Sequence, residues 1–190
     1  MSFLGEAAPA PELFEEDLTE LGYVMNVTRL WAHRPELVTG LFDLLGTAVR
    51  GVLDRRTRGI LVTAAVSAFG DAYCSLAWGG KLAAEAGTEV AVAVLRGDDT
   101  GLTPAERALA GWARRIVRDP HTTTPADLDA MRAAGLDDPA ILTVTVFVAL
   151  RIAFATVNDA LGAGPDAELA VRVPPEIRAE VTYGRPVGGK

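Results

Sequence analysis

Apolar residues recur along most of this chain at intervals of three and four, the spacing of one helix face, and the runs break at glycine and proline. Pro11 to Leu21 carries Leu13, Phe14, Leu18 and Leu21 with acids opposite, and Gly22 stops it. Met25 to Trp31 reads as a short apolar turn or helix. His33-Arg34-Pro35 restarts a helix with proline at its first position, and Leu37, Leu41, Leu44, Leu45 and Ala48 form its predicted inner side. Asp54 caps the next helix, in which Ile60 to Phe69 is apolar nearly all round, as expected at the centre of a bundle. Gly70 then breaks the run and Asp71 starts a further helix, with Leu76, Ala77, Leu82 and Ala83 as its predicted buried side. Within it, Gly79-Gly80 weakens the helix or permits another backbone to approach closely. Gly87 ends this helix, and Thr88 is the predicted cap of a shorter one running to Leu95.

Arg96 to Gly101 is a predicted loop. Thr103-Pro104-Ala105-Glu106 is a capping box with proline at the first helical position, opening a helix that carries Leu109, Trp112, Ala113, Ile116 and Val117. Thr124-Pro125-Ala126-Asp127 repeats that start, with Leu128, Met131 and Leu136 on the apolar side. Asp138-Pro139 begins a long apolar helix that Gly162 terminates. After Gly164 prolines accumulate, which predicts an extended tail with a short strand at Ala170–Val173 or a turn of helix near Glu176. Nothing elsewhere alternates with the period of a strand. The expected fold class is all-α, a bundle of about eight helices over residues 1–166 followed by an extended tail over 167–190.

Composition narrows the function classes. Across 190 residues the formal net charge is -7, which argues against a nucleic-acid surface. Two arginine clusters, Arg55, Arg56, Arg58 and Arg114, Arg115, Arg118, read as solvated or salt-bridged helix faces. The single cysteine, Cys74, has no internal disulfide partner, which fits a reducing compartment. The first residues lack the basic and apolar regions of a signal peptide. Ala140 to Val157 comes nearest to a membrane span, but Thr143, Thr145 and Arg151 interrupt it, so a buried core helix is expected. These readings together predict a soluble cytoplasmic protein with no membrane or nucleic-acid partner.

Candidate chemistry converges on Phe69 to Trp78. Cys74 lies three residues into a helix, where free backbone N–H groups and the positive dipole end lower a thiol pKa below about 8.5. Asp71 opposes that effect, being first an N-cap and second a candidate acid or base one turn from the thiol. Trp78 lies one turn beyond Cys74, either filling the core or flooring a pocket for a flat or apolar ligand. Tyr73 offers a phenol. Arg151, in the middle of an apolar helix, calls for an anion: an internal acid such as Asp71 or Asp159, or a ligand carboxylate. His33 and His121 are separate and without acidic partners at ligand spacing, so no metal site is expected. No glycine-rich phosphate loop is present, and no cofactor is expected.

Several segments carry a resemblance to a known family. They are Leu21-Gly22-Tyr23-Val24 with Asn26, Leu30 to Leu37, Leu53-Asp54-Arg55-Arg56, Ala64 to Ala68, Gly70 with Tyr73-Cys74, Leu102 to Glu106, Ala134 to Asp138, and Asn158 to Gly162. In this order and spacing, over residues 11–166, they resemble the peroxidase-related branch of the alkylhydroperoxidase D-like (carboxymuconolactone decarboxylase) superfamily. The resemblance implies a glutamate, a C-x-x-C pair at a helix start and a histidine four residues later. The second cysteine is peroxidatic, the first resolves it, and glutamate and histidine relay protons. Only Cys74 survives here, at the second cysteine. Asp71 stands at the first, Trp78 at the histidine and Gly59 at the glutamate.

Two-cysteine alkylhydroperoxidase chemistry is therefore not expected, because the chain has no second thiol to resolve a sulfenic acid and no relay to activate the first. The resemblance implies a peroxidase-related oxidoreductase homologue, with any thiol chemistry centred on Cys74 and Asp71 and with binding by Trp78, Tyr73 and Arg151. One alternative is a non-catalytic ligand-binding or structural oligomer on the same fold. The other is a decarboxylase-like acid–base enzyme using Asp71 with Arg151. Homo-oligomerisation and a small-molecule ligand or hydroperoxide are the expected partners.

Overall fold

A computed structural model of the chain describes residues 2–188. Its elements are α1 (Pro11–Leu21), α2 (Asn26–Trp31), α3 (Pro35–Val49), α4 (Arg55–Phe69), α5 (Ala72–Ala86), α6 (Thr88–Arg96), α7 (Pro104–Arg118), α8 (Pro125–Ala133), α9 (Asp138–Ala160), α10 (Ala167–Arg172) and α11 (Pro175–Glu180). A single 3-10 turn, Pro120–Thr122, links α7 to α8. Among the described residues there is no strand, so the all-α expectation holds.

The centre is α4. Ile60, Leu61, Val62, Ala64, Ala65 and Val66 are fully buried, the outcome predicted by an all-round apolar helix. It packs against α5, α7, α6 and α9. Its start is capped by Asp54, whose side chain accepts from the Thr57 N–H at 2.7 Å. The capping box opening α7 forms as read: Thr103 accepts from the Glu106 N–H and Glu106 accepts from the Thr103 N–H. Glu106 also receives the Arg56 guanidinium at 2.5 Å, so one carboxylate both caps α7 and ties it to α4. Of the other clustered arginines, Arg114 is buried and bonded to Asp99 at 2.8 Å and to the Val94 carbonyl at 3.2 Å.

Three expectations are corrected. Thr88 is the first helical residue of α6 rather than its cap, a position that Gly87 takes with φ 92°. On α3, Leu45 is buried and Leu41 and Ala48 pack against the core as read, and Val38 joins them, whereas Leu37 and Leu44 are about half exposed (54% and 49%). Helix α9 is not a wholly buried core helix. It is long and apolar enough to cross a membrane by length and composition, yet only 33% of its most apolar window is buried. Both α3 and α9 lie at the bundle edge and pack on each other, so each keeps an apolar outer face.

Of the two alternatives for the C-terminal segment, the helical turn near Glu176 forms and the strand at Ala170–Val173 does not. The segment forms α10 and α11, which lie against α5 and α6. The two glycines of α5 make room for it: a Cβ at Gly79 would come within 2.9 Å of Ile177 Cγ2, and one at Gly80 within 2.9 Å of Val173 Cγ1. Ile177 is fully buried in that notch. Beyond α11, the Tyr183 hydroxyl donates to Ser75 at 3.0 Å, and Gly184 passes so close to Gly70 and Ala72 that a Cβ would meet the Gly70 carbonyl at 2.6 Å.

Candidate functional site

Helix α4 ends because Gly70 adopts φ 87°, and α5 begins two residues later on Asp71. The Asp71 carboxylate caps α5 by accepting from the Cys74 N–H at 3.2 Å through Oδ1. Its Oδ2 is buried and has no hydrogen-bond partner among the described residues. Asp71 is fully buried, and burial is the main reason its pKa rises from 3.8 to about 6, helped by the charge of Asp159 and held back by Cys74. A carboxyl in that range changes charge near neutrality, which suits proton transfer.

Cys74 is 6% exposed. The helix-start expectation of an easily ionised thiol is reversed, because burial first and the Asp71 carboxylate second push its pKa well above the ordinary value. Dipole stabilisation amounts to about 0.3–1 kcal/mol at an exposed terminus, too little to offset that desolvation. Arg151 is the group that pulls the other way. The thiol is protonated at neutral pH and needs a base, and Asp71 is the neighbouring candidate.

Among the described residues Arg151 makes no ion pair. The expected internal pairing with Asp71 or Asp159 is absent: Asp159 instead faces Arg185 at 3.8 Å. The guanidinium lies over three rings, Trp78 at 4.7 Å, Phe42 at 5.3 Å and Phe147 at 5.5 Å, and its Nε is buried with no partner. Burial lowers its pKa from 12.5 to about 10. Three cation–π contacts at about 0.5–2 kcal/mol each stand against an effective cost of several kcal/mol for removing a cation from water. The rings roughly offset the penalty but leave the charge uncompensated. Sequence reasoning missed Lys81, whose Nζ lies 4.8 Å from the same Trp78 ring. Its i+3 spacing from Trp78, and its being one of only two lysines in the chain, were available signals.

Trp78 is thus drawn into the site as the platform for two cations. Tyr73 is not: its hydroxyl donates to Asp166 Oδ2, while Asp166 Oδ1 accepts from the Asn26 N–H at 2.9 Å. The Asn26 side chain in turn donates to the Gly164 carbonyl at 3.1 Å, so these residues join α2, α5 and the start of the C-terminal segment. Asn158 has a similar framing role, accepting from Trp31 Nε1 at 2.8 Å. His33 touches the Gly5 carbonyl at 3.1 Å, and among the described residues no group of His, Cys, Asp or Glu is placed to hold a metal ion.

Solved structures with the same arrangement of helices share one fold. A peroxidase-related protein with an alkylhydroperoxidase AhpD core, from Ralstonia eutropha JMP134, superposes with TM-score 0.75 at 25% identity, covering 89% of this chain and 97% of its own. The chain has the AhpD-like fold. A peroxidase-related protein from Silicibacter sp. TM1040 matches with TM-score 0.75 at 21% identity, over 87% of this chain and 91% of that one. A cysteine-to-alanine variant of the debrominase Bmp8, in complex with 2,3,4-tribromopyrrole, matches with TM-score 0.72 at 16% identity, over 89% and 95%. No protein-family model and no curated protein sequence matches the chain. On this AhpD-like fold, Gly59 packs so tightly on α5 that a Cβ would lie 3.1 Å from Leu82 Cδ1. Leu82 therefore fills the space that a larger side chain at Gly59 would need.

Proposed function

We propose that the protein is a peroxidase-related oxidoreductase homologue that uses one cysteine, with Cys74 as nucleophile and Asp71 as its base. The observation that carries this reading is the buried, unpartnered Asp71 Oδ2 one turn from the thiol, on a carboxyl whose pKa is about 6. As Cys74 Sγ attacks the terminal oxygen of a hydroperoxide, Asp71 takes the thiol proton and returns it to the alkoxide released when the O–O bond breaks. The products are an alcohol and a Cys74 sulfenic acid. An external thiol then forms a mixed disulfide with release of water, and a second external thiol frees Cys74, because the chain holds no second cysteine. Arg151 favours the transient thiolate.

Treatment with an organic hydroperoxide followed by dimedone should label Cys74, as read by mass spectrometry. The label should vanish in Cys74→Ser, and its formation should slow about 10²–10⁴-fold in Asp71→Asn. Failure of the native protein to form any sulfenic acid would sink the thiol mechanism. The burial of Cys74 favours a second reading, a non-catalytic ligand-binding oligomer on the same fold, which predicts no labelling at all. Activity that survives Cys74→Ser but not Asp71→Asn would instead mark acid–base chemistry at Asp71.

A further inference from the structure

Two cations lie against one indole. Arg151 lies 4.7 Å and Lys81 4.8 Å from the Trp78 ring, and neither is in an ion pair within the described residues. In a chain with 25 acidic and 18 basic residues, carboxylates are abundant, and other arginines are paired with them: Arg56 with Glu106, Arg96 with Glu180, Arg114 with Asp99. The charges also work against each other, since Arg151 contributes to lowering the Lys81 pKa. Lys81 is exposed and solvated, whereas Arg151 keeps a buried Nε with no hydrogen-bond partner among the described residues, and it is this charge that leaves a place for an outside anion.

We infer that Arg151 and Lys81, both held against Trp78 beside Cys74, form a site for the carboxylate of a small organic acid. The planar guanidinium matches a carboxylate in bidentate geometry, and among the described residues its fork has no hydrogen-bond acceptor. The surroundings fit the rest of such a molecule. Phe147 is buried under the guanidinium, and Phe42, 42% exposed, offers an apolar ring at the surface beside it. Phe42 is itself held by an edge-on contact with Phe154 at 5.5 Å. Inorganic phosphate fits less well, since aromatic faces would replace the many donors that its oxygens require. Resting on the thiol reading, this makes the substrate of Cys74 a carboxylate-bearing molecule with an apolar body.

Calorimetric and tryptophan-fluorescence titrations of the full chain with benzoate, and with uncharged methyl benzoate, test the site. Benzoate is expected to bind at least about tenfold more tightly than the ester, and with equal affinity to Cys74→Ser. Arg151→Gln should weaken benzoate at least about tenfold, Lys81→Gln by a smaller factor, and Arg151→Lys should recover part of the loss. Far-UV circular dichroism checks that each variant is folded, and the acid–ester comparison needs no variant. Equal affinity for acid and ester, no benzoate binding by the native chain, or full affinity in folded Arg151→Gln each overturns the proposal. Because Cys74→Ser abolishes sulfenic acid formation but spares the cations, a failed thiol mechanism and a failed carboxylate site give different results.

Discussion

Asp71 holds a helix start with one oxygen and leaves the other buried and unbonded, so its ionised form is the costly one. Its folded pKa of about 6 lies above the value of 3.8 expected for the unfolded chain. The folded state therefore binds the proton more tightly, and the stability this brings is complete below pH 4 and is lost as pH rises through 6. A shift of this size corresponds to about 3 kcal/mol. Asp71→Asn, which keeps a capping oxygen and carries no charge, should flatten the pH dependence between 4 and 6 and raise stability at pH 7 to 8. Urea denaturation of both proteins across that range measures it, and a parallel loss of stability with pH in the variant would remove the buried-charge account. The cap itself was legible in the sequence, from glycine then aspartate before an apolar run. The missing partner of Oδ2 and the raised thiol pKa were not, since both come from burial by neighbouring helices that local spacing does not encode.

At the level of helices, the glycines of α5 show how one residue type serves opposite ends. Gly79 sits where Ile177 and Leu95 press against the backbone, whereas Gly111 in α7 faces open space. Replacing glycine by alanine in a helix interior gains about 0.5–1 kcal/mol when nothing is in the way. Gly111→Ala should show that gain. Gly79→Ala should instead lose about 1–3 kcal/mol, because a Cβ 2.9 Å from a branched methyl forces the C-terminal helices outward. Thermal melts of the two variants give the comparison, and a stabilised Gly79→Ala would mean that the notch is loosely filled. Helix starts and stops could be read from Asp54, Thr103 with Glu106, and Gly70, since caps are local chemistry. The sequence also flagged Gly79-Gly80, but not the occupant of the notch, because Val173 and Ile177 lie almost a hundred residues away.

For the whole molecule, the outward sides of α3 and α9 are the unsettled surface. Leu37, Leu44 and Leu142 are about half exposed or more, on two helices that pack side by side. Our proposal for this face is a second copy of the chain, in line with the expected homo-oligomer. Leu44→Glu combined with Leu142→Glu should leave the circular dichroism unchanged, since neither side chain is buried, and should lower the mass measured by light scattering to that of one chain. A native protein already at 20.0 kDa would end that proposal. The hydropathy of α9 suggested burial, but period and composition alone do not say whether an apolar face is covered by the same chain.

The notch in α5 also bears on how the protein is made. Helix α5, with its thiol, leaves the ribosome well before Val173 and Ile177 have been translated. At ~5–20 residues per second, the nascent chain carries this helix without its C-terminal cover for roughly 5–20 s. In that interval the Gly79-Gly80 face of α5 is uncovered, and a holding chaperone that reaches it does so before the last helices dock.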